Sequence, residues 1–479
     1  MSKKKNNILL ITCDELNREV LSIYGNRAIS TPNIDAIGNC GTRFDNAYTV
    51  SPWCLPARCS ILTGLYPHRS GAYSNFRKCA LAGTIPNIFT GLHSSDYTVA
   101  MFGKCHFAPV PYSQTRPDVT LPYDEFKEYY MSLGIDHLDL EDDKQVSVWF
   151  MDDWAKEAEA DGTLEAMRRA VWDRSLGKVY PFPGPLHLHP DVWVGDKATE
   201  YIKNADPDKP LFAWVSFSGP HYPMDAPEEY IKRVDADRLT PRKHREGELE
   251  GTDRIHHKDY YGRGNIDGCS CAPDAACRNY DEAYWKRMRT NYNAVVSLID
   301  DKVGEIVSAA REKYGDDLLI IFTADHGEML GDHGIWGKHN CAYDEVWRIP
   351  MLISFPHGEQ AGKVRYDMMN SCDILPTCLE AASAEPIACD GVSVYRETDR
   401  KYTFAEGEGF MAVTDGSAKY VHIRKRGKNG NIVENYREFT DLVGDPDEFE
   451  NRIGHPECQG KLAELRGVLI DHVIDRVLP

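Results

Sequence analysis

The sequence predicts an α/β fold, with a large unit of alternating strands and helices followed by a smaller unit of short strands and one helix. Three observations support this: apolar β-branched segments that end in polar residues, one long segment with helical periodicity, and a change of pattern after Glu385-Pro386. A chain of 479 residues can bury a large core. We expect a first domain over residues 1–385 and a C-terminal α+β subdomain over residues 386–479.

The first predicted strand, Asn7–Cys13, is an apolar run typical of a buried parallel strand, and Asp14 and Glu15 follow it directly. The next informative segment, Cys54–Gly64, reads CLPARCSILTG and is predicted to begin a helix. Free N–H groups and the positive dipole at a helix start suit an anion, and Arg58 adds a fork of donors matched to tetrahedral oxyanions. The alternative is that Cys54 is a buried structural cysteine and that its spacing from Arg58 arose by chance.

Two more predicted strands end in basic side chains. Thr98–Phe102 precedes Gly-Lys-Cys-His, so Lys104 and His106 leave the strand end two residues apart and can face one anion. The alternative for Lys104 is an exposed surface lysine. Leu211–Ser218 precedes a loop in which prolines flank His221, and these prolines favour an extended chain that fixes the direction of the imidazole.

Tyr284–Lys313 has the 3.6-residue period of a long amphipathic helix, which we interpret as core. The strand Leu318–Ala324 follows and ends in Asp325-His326, and the downstream loop carries Lys338. Residues 125–190 and 235–282 lack a clear sheet pattern and are predicted to be insertions over the mouth of the site. After residue 386, short strands over 402–405, 409–414 and 419–424 and a helix over 459–474 predict a small antiparallel sheet with a final helix.

The carboxylates at the strand ends predict a metal site. Carboxyl ends of parallel strands meet at one edge of a sheet, so Asp14 and Asp325 can converge on a single divalent cation. Oxygen donors favour Ca²⁺ or Mg²⁺, while His326 leaves room for Mn²⁺. Helix capping is the alternative role of either carboxylate alone, but the agreement of several independent parts favours the metal site.

The motifs together resemble a known family. Cys-x-Pro-x-Arg at Cys54, Gly-Lys-x-His at Lys104 and Pro-His-x-Pro at His221 are similar to the signatures of type I, formylglycine-dependent sulfatases of the alkaline phosphatase superfamily, over nearly the whole chain. The resemblance implies a large mixed sheet sandwiched by helices in a catalytic domain. It also implies that Cys54 is oxidised to formylglycine. The implied metal ligands are Asp14, Glu15, Cys54, Asp325 and His326, and the implied catalytic residues are Cys54, Arg58, Lys104, His106, His221 and Lys338.

The implied activity is hydrolysis of a sulfate monoester of an aryl, steroid or small-sugar alcohol. An aldehyde at residue 54 hydrates to a diol, one hydroxyl attacks sulfur, and the second then expels sulfate by restoring the aldehyde. The resemblance implies that Lys338 and His221 lie beside the ester oxygen that leaves with the alcohol. The alternative is a phosphonate or phosphate monoester hydrolase, because His326 stands where several sulfatases have Asn. The implied partners are a small sulfated substrate and a formylglycine-generating or anaerobic sulfatase-maturating enzyme.

Composition limits the remaining possibilities. A net charge of −19 and a pI near 5.4 argue against nucleic acids and disfavour densely sulfated polymers. We identify no export signal and no membrane span, and fourteen cysteines without an export signal predict reduced thiols in the cytoplasm. Homo-oligomerisation is left open by the sequence.

Overall fold

The computed structural model describes residues 5–75, 79–109, 123–173, 178–249, 277–338, 341–426 and 431–474. The strands are β1 (Asn7–Asp14), β2 (Thr42–Phe44), β3 (Ala47–Tyr48), β4 (Thr98–Gly103), β5 (His137–Asp139), β6 (Leu211–Pro220), β7 (Leu318–Ala324), β8 (Met351–Ser354), β9 (Lys363–Arg365), β10 (Met369–Asn370), β11 (Thr403–Gly407), β12 (Phe410–Thr414), β13 (Ala418–Arg426) and β14 (Ile432–Asp441).

The α-helices are α1 (Pro32–Asn39), α2 (Cys54–Thr63), α3 (Pro67–Ser70), α4 (Ile88–His93), α5 (Tyr123–Ser132), α6 (Ser147–Phe150), α7 (Asp153–Asp161), α8 (Leu164–Trp172), α9 (Pro190–Asn204), α10 (Glu228–Ile231), α11 (Glu282–Tyr314), α12 (Asp344–Trp347), α13 (Ile374–Ala382) and α14 (Gln459–Ile474). Short 3₁₀ turns lie between several of them.

The large sheet is mixed, with strand order β5-β4-β6-β1-β7-β8-β2-β9. Its first five strands run parallel, β8 is antiparallel to both β7 and β2, and β9 is parallel to β2. Every residue of β1, β6 and β7 is buried. Strands buried on both faces need continuous apolar runs, which explains why these segments lack polar alternation.

Helices cover both faces of this sheet. On one face, α9 and α11 pack against each other and against β6, and α1 packs on α11 and β8. On the other face, α2, α4 and α13 pack together, with α4 against β4 and α13 against β1. The apolar stripe predicted for the long helix is buried, from Tyr292 through Val303 to Ile306. The sequence-based prediction of a large mixed sheet between helices is confirmed.

The C-terminal unit is an antiparallel sheet of order β11-β12-β13-β14, on which α14 packs. The final helix and three of the strands follow the prediction closely, whereas β14 was not predicted. One of its buried positions is the polar Glu438, and this interrupts the alternation of apolar and polar residues that would have predicted a strand. The Glu438 carboxylate accepts a hydrogen bond from the Tyr436 hydroxyl at 2.6 Å. The boundary at residue 385 stays a prediction.

The first predicted insertion is largely helical, and it also supplies β5, which pairs with β4 at the edge of the large sheet. The second includes residues 250–276, which lie outside the described residues. Cysteines in the described ranges are free thiols. Among the described helices, none is both long enough and apolar enough to cross a membrane.

Candidate functional site

The site lies at the carboxyl ends of four adjacent parallel strands. In the order β4, β6, β1 and β7, these strands lead directly into Lys104, His221, Asp14 and Asp325. Helix α2 begins at Cys54, the residue that faces this edge. It ends at Thr63 and is followed by Gly64, whose φ of 66° is the left-handed conformation that a glycine favours. All ten residues of α2 are buried, so its position is fixed by packing on every side.

Four of the predicted metal-ligand residues come together. One ligand atom from each of Asp14, Cys54, Asp325 and His326 lies within 4.8 Å of the other three, and all four side chains are buried. His326 Nε2 is 3.2 Å from the Cys54 sulfur and 3.7 Å from Oδ1 of each aspartate. The buried Asp14 Oδ1 has no hydrogen-bond partner among the described residues. Two carboxylates, one imidazole and an unsatisfied oxygen fit a divalent cation.

Arg58 is buried beside this group and orients part of it. Its Nε donates to Asp325 Oδ2 at 2.8 Å, and its Nη1 donates to the Lys104 carbonyl at 2.9 Å and to Ser216 Oγ at 2.7 Å. Burial opposes the charge, but Asp325 and Asp14 outweigh it and raise the pKa of Arg58. Its Nη2 is buried and donates to no described atom, which leaves one donor for an oxyanion.

Lys104 is buried as well, which contradicts the alternative of a surface lysine. Its Nζ donates to Asp14 Oδ2 at 2.6 Å and to Asp143 Oδ2 at 2.8 Å. Burial lowers the pKa of this ammonium, yet the two carboxylates outweigh burial and raise it above its ordinary value. Lys104 is therefore a fixed cation in contact with one of the candidate metal ligands.

His106 lies close to this cation, with a positive φ of 49°. Its backbone N–H donates to Asp142 Oδ1 at 2.9 Å, and its Nδ1 is buried without a described hydrogen-bond partner. Burial, followed by the charge of Lys104, lowers the pKa of His106 well below its usual value. The ring is therefore a neutral group with a free nitrogen in the site.

Glu15 follows Asp14 directly but is not one of the four residues whose ligand atoms converge, and its Oε1 is buried without a described hydrogen-bond partner. Its Oε2 is 3.2 Å from Lys338 Nζ and 3.2 Å from His221 Nε2. Burial raises the pKa of Glu15 well above its ordinary value, against the opposing charge of Lys338. Metal ligation by Glu15 stays a prediction. The Glu15 carboxylate contacts Lys338 and His221, the two residues predicted to face the leaving group.

His221 joins Glu15 to the aspartates. A ligand atom of His221 lies within 4.8 Å of one from Asp14 and one from Asp143. Its Nδ1 is 2.7 Å from the Tyr222 carbonyl oxygen, a distance at which Nδ1–H donates to that oxygen. Burial and then Lys338 lower the pKa of His221 to about 3, so the imidazole is neutral near neutral pH.

Sequence reasoning missed the acidic segment that supports the basic residues. Asp143 holds Lys104, and Asp142 Oδ1 accepts the backbone N–H groups of Cys105 and His106, each at 2.9 Å. The run Glu141-Asp142-Asp143 is visible in the sequence, but the sequence did not show that these acids are buried, and it is their burial that calls for basic partners. Ser216, the acceptor for Arg58, carried no signal, since it lies inside an apolar strand.

Known proteins resemble this chain over most of its length. The sulfatase family model matches residues 6–384. An arylsulfatase of Clostridium perfringens is 28% identical over 497 residues, covering 98% of this chain and 95% of that protein. A choline-sulfatase of Rhizobium meliloti is 25% identical over 494 residues, covering 95% of this chain and 84% of that protein.

Among solved structures, a phosphonate monoester hydrolase of Agrobacterium radiobacter superimposes with a TM-score of 0.79 at 21% identity, covering 98% of this chain and 96% of that one. This likeness shows the fold. The family model and the relatives confirm the resemblance that the Cys54, Lys104 and His221 motifs indicated. Because the model match covers well over half of the sequence, the protein is an enzyme of the sulfatase family.

Proposed function

We propose that this protein hydrolyses sulfate monoesters of an aryl, steroid or small-sugar alcohol, using a formylglycine made from Cys54 and one divalent cation. The observation that carries the proposal is the convergence of Asp14, Cys54, Asp325 and His326 around a buried, unsatisfied carboxylate oxygen. The donor set favours Ca²⁺, with Mg²⁺ and Mn²⁺ as alternatives. When bound, the cation supplies Lewis-acid stabilisation of negative charge at residue 54 and at the ester.

The surrounding side chains have separate tasks in this proposal. Formylglycine 54, as its hydrate, supplies the attacking hydroxyl and a second hydroxyl through which sulfate leaves. Arg58, with its free Nη2, and Lys104 hold positive charge at the sulfuryl oxygens. His106, neutral and with an unpaired Nδ1, hydrogen-bonds to residue 54.

Lys338 is the proton donor for the departing alcohol. His221 is the weaker candidate, because its lowered pKa and its Nδ1–H contact leave Nε2 without a proton to give. The 3.2 Å contacts of Glu15 with both residues fit a supporting role in which Glu15 holds Lys338 at the bridging oxygen.

The maturation of Cys54 sets a condition on this function. Cys54 is 1% exposed at the start of a wholly buried helix, so a formylglycine-generating or sulfatase-maturating enzyme cannot reach it in the folded protein. We infer that modification precedes folding.

A second candidate is hydrolysis of phosphonate or phosphate monoesters on the same scaffold. Two observations favour it: the relationship in fold to phosphonate monoester hydrolases, and a 26% identical relative from Trinickia caryophylli described as a multifunctional alkaline phosphatase superfamily protein. Sulfate and phosphonate esters share a tetrahedral centre, so one site can process both.

The decisive experiment measures kcat/KM for 4-nitrophenyl sulfate, a phenyl phosphonate monoester and 4-nitrophenyl phosphate. It uses protein in which mass spectrometry shows formylglycine at position 54. We expect the sulfate value to be the highest, and protein that keeps the Cys54 thiol to be almost inactive. A phosphonate preference in fully modified protein would transfer the assignment to the second candidate. Full activity of the thiol form would overturn the formylglycine mechanism.

A further inference from the structure

A second cluster of metal-ligand side chains lies where the C-terminal unit meets α3, outside the site at the strand ends. One ligand atom from each of His68, Glu406 and His472 lies within 4.8 Å of the other two. The three residues come from separate parts of the chain: α3, which follows the nucleophile helix α2 that begins at Cys54, strand β11, and the last helix α14.

Both histidines point at one oxygen. His68 Nδ1 is 2.7 Å and His472 Nε2 is 2.5 Å from Glu406 Oε1. The other oxygen, Oε2, accepts the backbone N–H of His68 at 3.0 Å, which fixes the rotation of the carboxylate. Each imidazole nitrogen directed at this carboxylate oxygen is either an N–H donor, which a neutral ring also supplies, or a nitrogen that can bind a metal ion in place of that proton.

The cluster is shielded from solvent. Exposed fractions of the His68, Glu406 and His472 side chains are 5%, 5% and 11%. Burial opposes ionisation of Glu406, but hydrogen bonds from His472 and His68 outweigh it and lower its pKa to about 2. A buried, ionised carboxylate beside two imidazoles is a strong site for a cation.

Aromatic rings hold the histidines in place. The Phe404 ring stacks on His472 with a centroid distance of 3.8 Å and an interplanar angle of 3°, and Tyr66 meets His472 edge-on at 4.8 Å. Orientation of the imidazoles by packing and of the carboxylate by a backbone N–H is the support that metal ligands need.

We propose that His68, Glu406 and His472 bind a zinc ion that fastens the C-terminal helix and sheet to the segment that follows the nucleophile helix. Two nitrogens and one carboxylate oxygen are zinc ligands, whereas Ca²⁺ and Mg²⁺ select oxygen. Three protein ligands leave one tetrahedral position for water. This site is independent of the proposed hydrolytic function, and the described side-chain hydrogen bonds and ion pairs of its three residues involve none of the residues assigned to that function.

The test compares zinc content in tag-free, full-length protein after equilibration with Zn²⁺ and removal of the excess, measured by elemental analysis. We expect His472→Gln and Glu406→Gln to bind one equivalent fewer than the unchanged protein. His455→Gln is the control, because the His455 side chain is half exposed and its described polar contact is with Glu457, and this variant should bind as the unchanged protein does. Zinc at the strand-end site contributes equally to all four proteins and cancels.

Equal zinc content in all four proteins would overturn the proposal and leave a purely hydrogen-bonded cluster. If both variants fail to fold, diffraction from zinc-equilibrated crystals of the unchanged protein decides the matter. An anomalous peak at the zinc edge, about 2.0–2.1 Å from His68 Nδ1 and His472 Nε2, supports the site. No peak there, in crystals whose zinc edge is detected, overturns it.

Discussion

At the scale of single residues, the site is a set of buried charges that compensate one another. Arg58 pairs with Asp325, and Lys104 pairs with Asp14 and Asp143, at distances of 2.6–2.8 Å. A buried ion is tolerated only with a partner, so removal of one member leaves an unpaired charge. The same pairing prevents the cations from reorienting, which is the condition for stabilising charge in a transition state.

Lys104→Ala removes a cation that touches a candidate metal ligand, so we expect kcat/KM for 4-nitrophenyl sulfate to fall by about 10² or more, the usual scale for one charge-stabilising donor. Steady-state kinetics on formylglycine-containing protein checks this. Lys419→Ala is a matched control, because Lys419 is equally buried and also pairs with two carboxylates, of Asp344 and Glu448, each at 2.7 Å.

Both lysine variants should lose stability for the same reason, but only Lys104→Ala should lose activity beyond the loss of folded protein. Equal activities for the two variants, corrected for the folded fraction, would remove Lys104 from the catalytic set.

At the scale of elements, a side chain of one helix satisfies the free N–H groups at the start of another. Helix α1 begins after Thr31, whose hydroxyl donates to Asp35 at 2.8 Å and accepts no N–H group of the helix. Asp300 of the long helix α11 substitutes for the cap: it accepts the Ile34 N–H at 2.8 Å and the Asn33 side chain at 2.9 Å. A carboxylate near a helix start also complements the helix dipole.

Asp300→Ala leaves these buried donors unsatisfied, so we expect the free energy of unfolding to fall by about 1–3 kcal/mol. Urea denaturation monitored by circular dichroism measures the change. Glu312→Ala, at an exposed position on the same helix, is the control and should alter stability by less than about 0.5 kcal/mol. Equal effects of the two substitutions would show that Asp300 does not cap α1.

At the scale of the whole molecule, net charge sets which substrates approach. A charge of −19 repels a polyanion, while the buried cations attract an anion only once it has entered the site. Exposed charges are screened by salt, whereas buried pairs are screened much less.

We therefore expect a sulfated polysaccharide to inhibit hydrolysis of 4-nitrophenyl sulfate weakly, with no gain in potency as salt is lowered from about 200 mM to about 20 mM. Inhibition constants measured across that range check the prediction, and free sulfate ion is the control for occupancy of the site itself. Inhibition that strengthens steeply at low salt would reveal a basic groove for polymers.

The sequence by itself determined the central strands, the long helix and most of the candidate site. Strands buried on both faces must be continuous apolar runs, so β1, β4, β6 and β7 were recognisable, and the residues that follow them were the predicted site residues. The Cys54 motif and the Gly-Lys-x-His spacing were equally local signals. They were enough to indicate the family.

Only the tertiary structure decided which side chains pair. Asp143 pairs with Lys104 because β4 and the segment after β5 lie at the same sheet edge, a relation that no local spacing encodes.

Glu15 follows Asp14 in the chain, yet with φ at 63° its carboxylate contacts Lys338 and His221 and is not one of the four converging ligand groups. The cluster of His68, Glu406 and His472 joins residues up to 404 positions apart, given by 472 minus 68. Contacts between distant segments depend on packing of the whole chain, and local patterns carry no record of them.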